Sequence, residues 1–141
     1  MIEKEMTGVI LNTAVTGPVR VPVRVGLTYD EINDPYAVQA VFADSAADGD
    51  DIHWTFSRDS MYQGVAASGV FSVGSGNVRF KLEPALGALV CCLRSPEGHA
   101  DIGLPLGDVQ SFLDACTQAV PLGRESVEDA LDSFIEEVLE G

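Results

Sequence analysis

The histidines and cysteines of this chain are the residues whose side chains most often bind metals or act as nucleophiles. His53 and His99 lie far apart in the sequence, and neither has a partner at a recognised metal-ligand spacing. His53 alternates with apolar residues in a predicted strand, which favours a solvent-facing side chain. The histidines therefore give no indication of a metal site, and we expect no bound metal or cofactor.

The three cysteines predict structural rather than catalytic roles. Cys91 and Cys92 are neighbours in a predicted strand and must point to opposite faces, so they are poorly placed to share one metal ion. Cys116 lies on the apolar stripe of a predicted helix. We interpret all three as small buried side chains, and we expect a protein that is not an enzyme. Three cysteines also make a poor disulfide framework, which favours a reducing compartment.

Four basic residues share strand faces in pairs, Arg20 with Arg24 and Arg79 with Lys81. If these faces adjoin, one side of the sheet is basic. Three interpretations remain open: ordinary cross-strand pairing with acids, an oligomer contact, or a platform for single-stranded nucleic acid. Phe80 lies between the last two bases and points the opposite way. This weakens the nucleic-acid alternative, because proteins that bind single strands stack aromatic rings on the nucleobases.

The overall charge argues against broad binding to polyanions. The 141 residues carry 22 acidic and 8 basic side chains, for a net charge of −14. Such a chain is repelled by phosphate backbones and anionic lipids. Residues 95–141 contain 11 of the acids and a single base, Arg124. This acidic end is either a solvated surface or a docking surface for a partner.

Targeting signals are not evident in the sequence. The first residues carry acids where a signal peptide needs bases. The longest uncharged apolar run, 85–93, is far shorter than the roughly 20 residues of a membrane helix. We expect a cytoplasmic protein with no transmembrane segment.

The first two-thirds of the chain show the period-two pattern of strands. From Val19 to Leu27, every second residue is apolar, which predicts a strand with one buried face. Pro22 cannot donate a ladder hydrogen bond, so we expect this strand to lie at an edge or to be bulged. Gly74 to Asn77 is followed by a strand rather than a helix, so it predicts a hairpin loop and not a phosphate loop. The predicted strands cover 7–15, 19–28, 36–42, 52–56, 70–73, 78–82 and 86–93.

Helical patterns dominate the last third. One short helix is predicted over 57–64, capped by Ser57 or Asp59. Apolar residues at helical spacing predict two longer helices, over 109–120 and 127–139. Strands followed by helices predict an α+β fold, with about seven antiparallel strands and C-terminal helices packed on the sheet. We expect a single domain over 1–141, strand-rich over 1–103 and helical over 104–141.

A series of short motifs follows a fixed order along nearly the whole chain. In chain order they are Leu27-Thr28-Tyr29-Asp30, Asp34-Pro35-Tyr36-Ala37-Val38 with Phe42, Trp54-Thr55-Phe56-Ser57-Arg58-Asp59, Ser95-Pro96-Glu97-Gly98, Phe112-Leu113 and Val120-Pro121-Leu122-Gly123-Arg124-Glu125. Together they resemble the SsgA-like proteins of actinomycetes. The chain departs from the family where it has Ser60-Met61-Tyr62, because the family often has two leucines there.

The resemblance implies a role in sporulation-specific cell division rather than catalysis. It implies recruitment of the tubulin-like division protein FtsZ to septation sites, together with an SsgA-type relative. It also implies a whirly-like protomer that assembles into a homotrimer. That fold carries the alternative function, binding of single-stranded nucleic acid.

The family motifs also suggest a site. The motif at the helix connection implies partner binding by Pro121, Gly123, Arg124 and Glu125, although these residues could equally maintain the fold. Tyr29-Asp30 and Asp34-Pro35 could simply shape a turn, with the Asp side chains bonding the local backbone. Arg58 and Asp59 could cap the short helix or form an ion pair within the fold.

Overall fold

The computed structural model describes residues 1–13, 17–43, 51–66, 73–75, 77–96 and 98–122. Within these ranges, eight strands and two α-helices follow one another along the chain. They are β1 (Ile2–Thr13), β2 (Gly17–Asp30), β3 (Asp34–Ala43), β4 (Ile52–Ser57), α1 (Arg58–Ala66), β5 (Val73–Ser75), β6 (Val78–Glu83), β7 (Ala88–Ser95), β8 (Gly98–Pro105) and α2 (Leu106–Ala119). A 3₁₀ turn, Pro84–Leu86, precedes β7.

All the strands belong to one antiparallel sheet in the order β4-β3-β2-β1-β8-β7-β6-β5. The sheet is strongly curled. The rings of Phe56 in β4 and Phe80 in β6 meet edge to face, with centroids 5.0 Å apart. In a flat sheet, strands in these positions would be about 29 Å apart. The curl therefore encloses a core to which both ends of the sheet contribute.

Alternation along β2 places its buried face as the sequence predicts. Val23, Val25 and Leu27 are almost completely buried, whereas Arg24 between them is exposed. Of the two alternatives for Pro22, the edge position is wrong, because β2 lies between β1 and β3. The bulged alternative is confirmed, because the β1–β2 register shifts between Ile10 and Asn12, which pair with Val21 and Pro18. Pro22 pairs with Val9 of β1 but lies outside the described β2–β3 ladder, which begins at Arg24.

The short helix α1 begins where its sequence signal predicts. The Ser57 hydroxyl oxygen accepts a hydrogen bond from the Ser60 backbone N–H at 3.0 Å, so Ser57 is the N-cap. The helix continues past Gly64 to Ala66. Gly64 faces Phe80 of β6, and this close approach brings α1 against the concave side of the sheet.

Helix α2 matches the first of the two longer predicted helices. Its apolar stripe, Val109, Phe112, Leu113 and Cys116, is buried in the same core as the sheet residues. The second longer helix, over 127–139, lies outside the described residues. The α+β class with an antiparallel sheet is confirmed.

The predicted strands differ from the structure in one missed strand and in several boundaries; β1, for example, begins at Ile2 rather than at residue 7. Strand β8 was missed, although it lies inside the sheet between β1 and β7. Of the predicted strand over 70–73, Val73 lies in β5, and 70–72 lie outside the described residues. Gly74 and Ser75 belong to β5 rather than to the loop, and Ser75 pairs with Val78. The β5–β6 hairpin itself is therefore confirmed, with a shorter connection.

Candidate functional site

Arg58, the first residue of α1, is the only buried charged residue in the part of the chain that the structure describes. Its side chain is 1% exposed. Its Nη1 donates to the carbonyl oxygen of Val120 at 2.6 Å and to that of Cys116 at 3.2 Å. Arg58 therefore does not cap its own helix, and these contacts are to the carboxyl end of α2.

The end of α2 has carbonyl groups that need donors from outside the helix. Pro121 disfavours helical backbone at the residue before it, and Val120 is extended, with φ −136° and ψ 104°. The Val120 N–H still donates to the Cys116 carbonyl at 2.9 Å, but the Val120 carbonyl lies beyond the helix. The last turn of α2, which is fully described, contains no base. Arg58 supplies a second donor to the Cys116 carbonyl, a donor to the Val120 carbonyl and the positive charge that a helix carboxyl end favours.

Two tyrosine rings flank the guanidinium. The Arg58 Cζ atom lies 5.1 Å from the ring centroid of Tyr29 and 5.9 Å from that of Tyr62, both within cation–π range. Tyr62 of α1 donates its hydroxyl to the Leu113 carbonyl of α2. We call Tyr29, Arg58, Tyr62, Cys116 and Val120 the Arg58 cluster. It joins the end of β2, the helix α1 and the end of α2.

The turn between β2 and β3 adjoins the cluster through Tyr29. The Tyr29 hydroxyl donates to the Pro35 carbonyl at 2.9 Å. Asp30 Oδ1 accepts from the backbone N–H groups of Ile32 and Asn33 at 3.2 and 3.0 Å, and its Oδ2 accepts from the Asn33 side-chain amide at 2.9 Å. These hydrogen bonds, led by that from the amide, lower the pKa of Asp30 below its ordinary value. The interpretation of these motif residues as turn-forming is supported.

The structure thus brings separate family motifs together around Arg58. Leu122, in the connection after α2, has an exposed side chain (50%). Two other large apolar side chains, Ile32 and Tyr36, are exposed on the neighbouring β2–β3 turn and the start of β3. Pro121 is exposed as well. The other residues of the predicted partner site, Gly123, Arg124 and Glu125, lie outside the described residues.

The four bases expected on one sheet face lie on two strands that do not adjoin. Arg20 and Arg24 are on β2, and Arg79 and Lys81 are on β6, with β1, β8 and β7 between them. Arg24 Nη2 lies 3.7 Å from the Glu5 carboxylate of β1, and Lys81 Nζ lies 3.2 Å from that of Glu83. The structure therefore does not form one basic platform from the four residues. A role for either pair in an oligomer contact stays a prediction.

Cys91, Cys116 and His53 occupy the kinds of positions that the sequence predicts, whereas Cys92 is less buried than expected. Cys91 and Cys116 are buried and Cys92 is half-buried. Burial raises the pKa of the Cys92 thiol to about 11 and that of Cys116 to about 12, and it also raises the pKa of Cys91. His53 is exposed. Across the described residues, no group of three His, Cys, Asp or Glu side chains could hold a metal ion.

A second concave surface lies beside the middle of β2, where Val23 is about 20 Å from Tyr29 by strand rise. It has a volume of about 560 Å³. Its lining is largely apolar and includes Val23, Phe42 and Trp54. The motif-bearing Arg58 cluster and this concavity are therefore separate features of the fold.

Comparison with known families places the chain in a class of division proteins. The family model described as "Streptomyces sporulation and cell division protein, SsgA" matches residues 23–125, a range that includes the whole Arg58 cluster and the segment after α2. The chain belongs to this family, so the resemblance predicted from its motifs is confirmed. In the described residues, no helix is long and apolar enough to cross a membrane.

Within that class, the chain is similar to SsgB. It is 35% identical over 131 residues to the sporulation-specific cell division protein SsgB of Streptomyces coelicolor, covering 92% of this chain and 90% of SsgB. SsgB of Frankia casuarinae is 35% identical over 118 residues, covering 82% of this chain and 78% of the relative. The motifs also resemble SsgB in their overall character.

Two solved structures share the fold. One is described by the statement that mutations in SsgB correlate to longitudinal cell division during sporulation of Streptomyces coelicolor. It has a TM-score of 0.71 and 33% identity, covering 88% of this chain and 91% of the other. The other is an SsgA-like sporulation-specific cell division protein from Thermobifida fusca, with a TM-score of 0.69, 27% identity and 97% of both chains covered.

Proposed function

We propose that this protein is a non-catalytic division protein that helps to position or recruit FtsZ at septation sites. Its family and relatives are sporulation and cell division proteins. The statement that mutations in SsgB correlate to longitudinal division supports a role in placing the septum. The protein acts in the cytoplasm and is recruited to the septum, together with an SsgA-type relative.

The docking surface in this proposal is the segment 121–125, which contains Pro121, Gly123, Arg124 and Glu125. The observation that carries this assignment is the contact from Arg58 to Val120, because it holds the chain directly before the segment. Leu122 follows with half of its side chain exposed. An exposed apolar side chain on an anchored connection is suited to contact a partner.

A homotrimer would strengthen weak docking. Three copies of segment 121–125 on one assembly raise the effective concentration for a polymeric partner, without any new contact. The acid-rich end of the chain would restrict docking to a partner surface of suitable charge. Sedimentation equilibrium at micromolar concentration tests this assembly. A strictly monomeric mass would contradict it.

Co-sedimentation with FtsZ polymers tests the docking surface. We expect the wild-type protein to pellet with the polymers, and Leu122→Ser and Gly123→Val to pellet at least several-fold less. Leu86→Ser is the matched control, because Leu86 is a leucine of similar exposure (47%) in the turn Pro84–Leu86 before β7. The control lies near the amino end of α2, opposite to the end that leads into segment 121–125, because the Leu106 N–H donates to the carbonyl of Gly87, the residue after this turn.

The outcomes of this assay are distinct. Binding by wild type and by Leu86→Ser, with loss in both segment variants, supports the proposed surface. Equal binding by all four folded proteins would remove segment 121–125 from the interface. No pelleting of wild type with FtsZ polymers would contradict direct recruitment.

A further inference from the structure

The carboxyl end of α2 is attached to the rest of the fold through a side chain from a distant part of the sequence. Arg58 precedes Val120 by 62 residues. One of its hydrogen bonds is to the Cys116 carbonyl, in the last turn of the helix. The other, shorter one is to the carbonyl of Val120, the first residue after the helix. The same guanidinium therefore holds both the helix end and the start of the connection that leads into segment 121–125.

The guanidinium is itself held from two sides. Tyr29 lies at the end of β2, a strand with ladders to both neighbours, and is completely buried. Tyr62 belongs to α1, one turn after Arg58, and also donates to the Leu113 carbonyl in α2. Because both rings lie near the Arg58 Cζ atom, the guanidinium is restrained by the sheet and by α1.

Lysine could not reproduce this arrangement. The planar guanidinium can donate in its own plane while its faces lie against aromatic rings. An ammonium is more strongly hydrated than a guanidinium and has no flat face, so its burial here would be less favourable. The geometry therefore depends on the chemistry of arginine and not on positive charge alone.

Arg58 cannot act by touching a partner, because its side chain is 1% exposed. We propose that Arg58 is the positioning residue for the start of segment 121–125: by holding the Val120 carbonyl, it sets where Pro121 and Leu122 leave α2, and so controls how the exposed Leu122 meets a partner. The link to partner binding rests on the proposed function. The link between Arg58 and the conformation of the segment does not.

Hydrogen exchange of the backbone amides measures this local hold. We compare wild type with Arg58→Lys and Arg58→Met, following peptides that cover 117–125 and the β1–β2 ladder. We expect exchange over 117–125 to become about ten-fold faster or more, the change that loss of one hydrogen bond to a charged group produces. Exchange in the ladder should stay within about two-fold of wild type, as expected for local opening.

Tyr29→Phe is the control variant. It removes the hydroxyl that donates to Pro35 and keeps the ring against Arg58. We expect exchange over 117–125 to stay at the wild-type rate in this variant, even if its overall stability falls. An equal acceleration in Tyr29→Phe and Arg58→Lys would mean that general destabilisation opens the segment, and it would overturn the proposal.

Co-sedimentation with FtsZ polymers separates this inference from the proposed function. Faster exchange over 117–125 with at least several-fold weaker pelleting of folded Arg58→Lys supports both. Unchanged exchange in Arg58→Lys overturns the inference, whatever the pelleting shows. If Leu122→Ser loses binding while Arg58→Lys keeps it, the docking surface stands and the positioning role is wrong. If wild type does not pellet, the proposed function fails, and exchange alone decides whether Arg58 holds the segment.

Discussion

Gly64 of α1 and Phe80 of β6 approach so closely that a Cβ atom on Gly64 would lie 2.6 Å from the Phe80 Cβ. No side chain fits at this distance without a backbone shift. Phe80 is completely buried and its ring also contacts Phe56. Gly64 therefore sets how closely α1 packs on the concave face of the sheet. It thereby also sets the position of Tyr62, the residue of α1 whose ring lies beside Arg58.

The first prediction follows from this contact. Gly64→Ala should lower the free energy of unfolding by about 1–3 kcal/mol, because overpacking outweighs the higher helix propensity of alanine. Gly107→Ala in α2 is the matched control, since a Cβ there meets nothing within 4 Å. It should be neutral or stabilising by up to about 1 kcal/mol. Urea denaturation measures both variants, and equal stability of the two would contradict the packing argument.

The second prediction concerns the two functions of Tyr29. Tyr29→Phe should cost about 1 kcal/mol, because it removes one hydrogen bond between neutral groups, to the Pro35 carbonyl. Tyr29→Leu should cost more, because it also removes the ring beside Arg58. Thermal unfolding would show this order as two successive decreases in Tm. A leucine variant as stable as the phenylalanine variant would show that the ring contact contributes nothing.

The third prediction is the pH dependence of the β2–β3 turn. The pKa of Asp30 lies below its ordinary value of 3.8 because the carboxylate accepts hydrogen bonds from Asn33 and from backbone N–H groups. The unfolded chain therefore binds a proton more readily at this site than the folded chain. The stabilisation is present above about pH 4 and is lost as the pH falls through the lower, folded pKa.

NMR titration of the Asp30 carboxyl carbon measures this pKa directly, and a value at or above 3.8 would be inconsistent with the turn. Asp30→Asn removes the titrating group. The stability difference between wild type and Asp30→Asn should therefore be larger at pH 7 than at pH 3. A difference that grows on acidification would have the wrong sign.

The fourth prediction concerns thiol reactivity. Burial raises the pKa of Cys92 to about 11 and that of Cys116 to about 12, so at pH 8 the folded protein holds very little thiolate. Alkylation with iodoacetamide should be at least about 100-fold slower than in the urea-unfolded chain. Half-buried Cys92 should react before the buried Cys91 and Cys116. Mass spectrometry after short labelling gives the order, and first labelling at Cys91 would contradict it.

The strands that the sequence predicts well are those with one buried face. In β2, each buried residue alternates with a more exposed one, so local spacing is sufficient. Strand β8 lacks this signal, because Ile102, Gly103 and Leu104 are buried in succession. It is held by ladders to β1 and β7. The position of β8 is therefore determined by its pairing with β1 and β7, and not by its own pattern of apolar residues.

The candidate site was only partly predictable. The motifs identified the family and drew attention to residues 120–125, and Ser57 was correctly predicted as one of two possible caps of α1. The interpretation of Arg58 as a cap for its own helix or a partner in an ion pair did not identify its contacts with α2. Tyr62 was noted only as a departure from the family pattern. No spacing in the sequence connects α1 with the end of α2.

The sequence by itself determined the acidic charge, the alternating strands, the stripe of α2 and the family, because each depends on composition or on neighbouring residues. Tertiary structure decided that the strands of the two basic pairs, β2 and β6, do not adjoin, that β2 lies inside the sheet, and that Arg58 is buried. These properties depend on strand order and on the curl of the sheet, which bring residues 29, 58 and 120 together. The hold on the Val120 carbonyl is therefore a consequence of long-range packing.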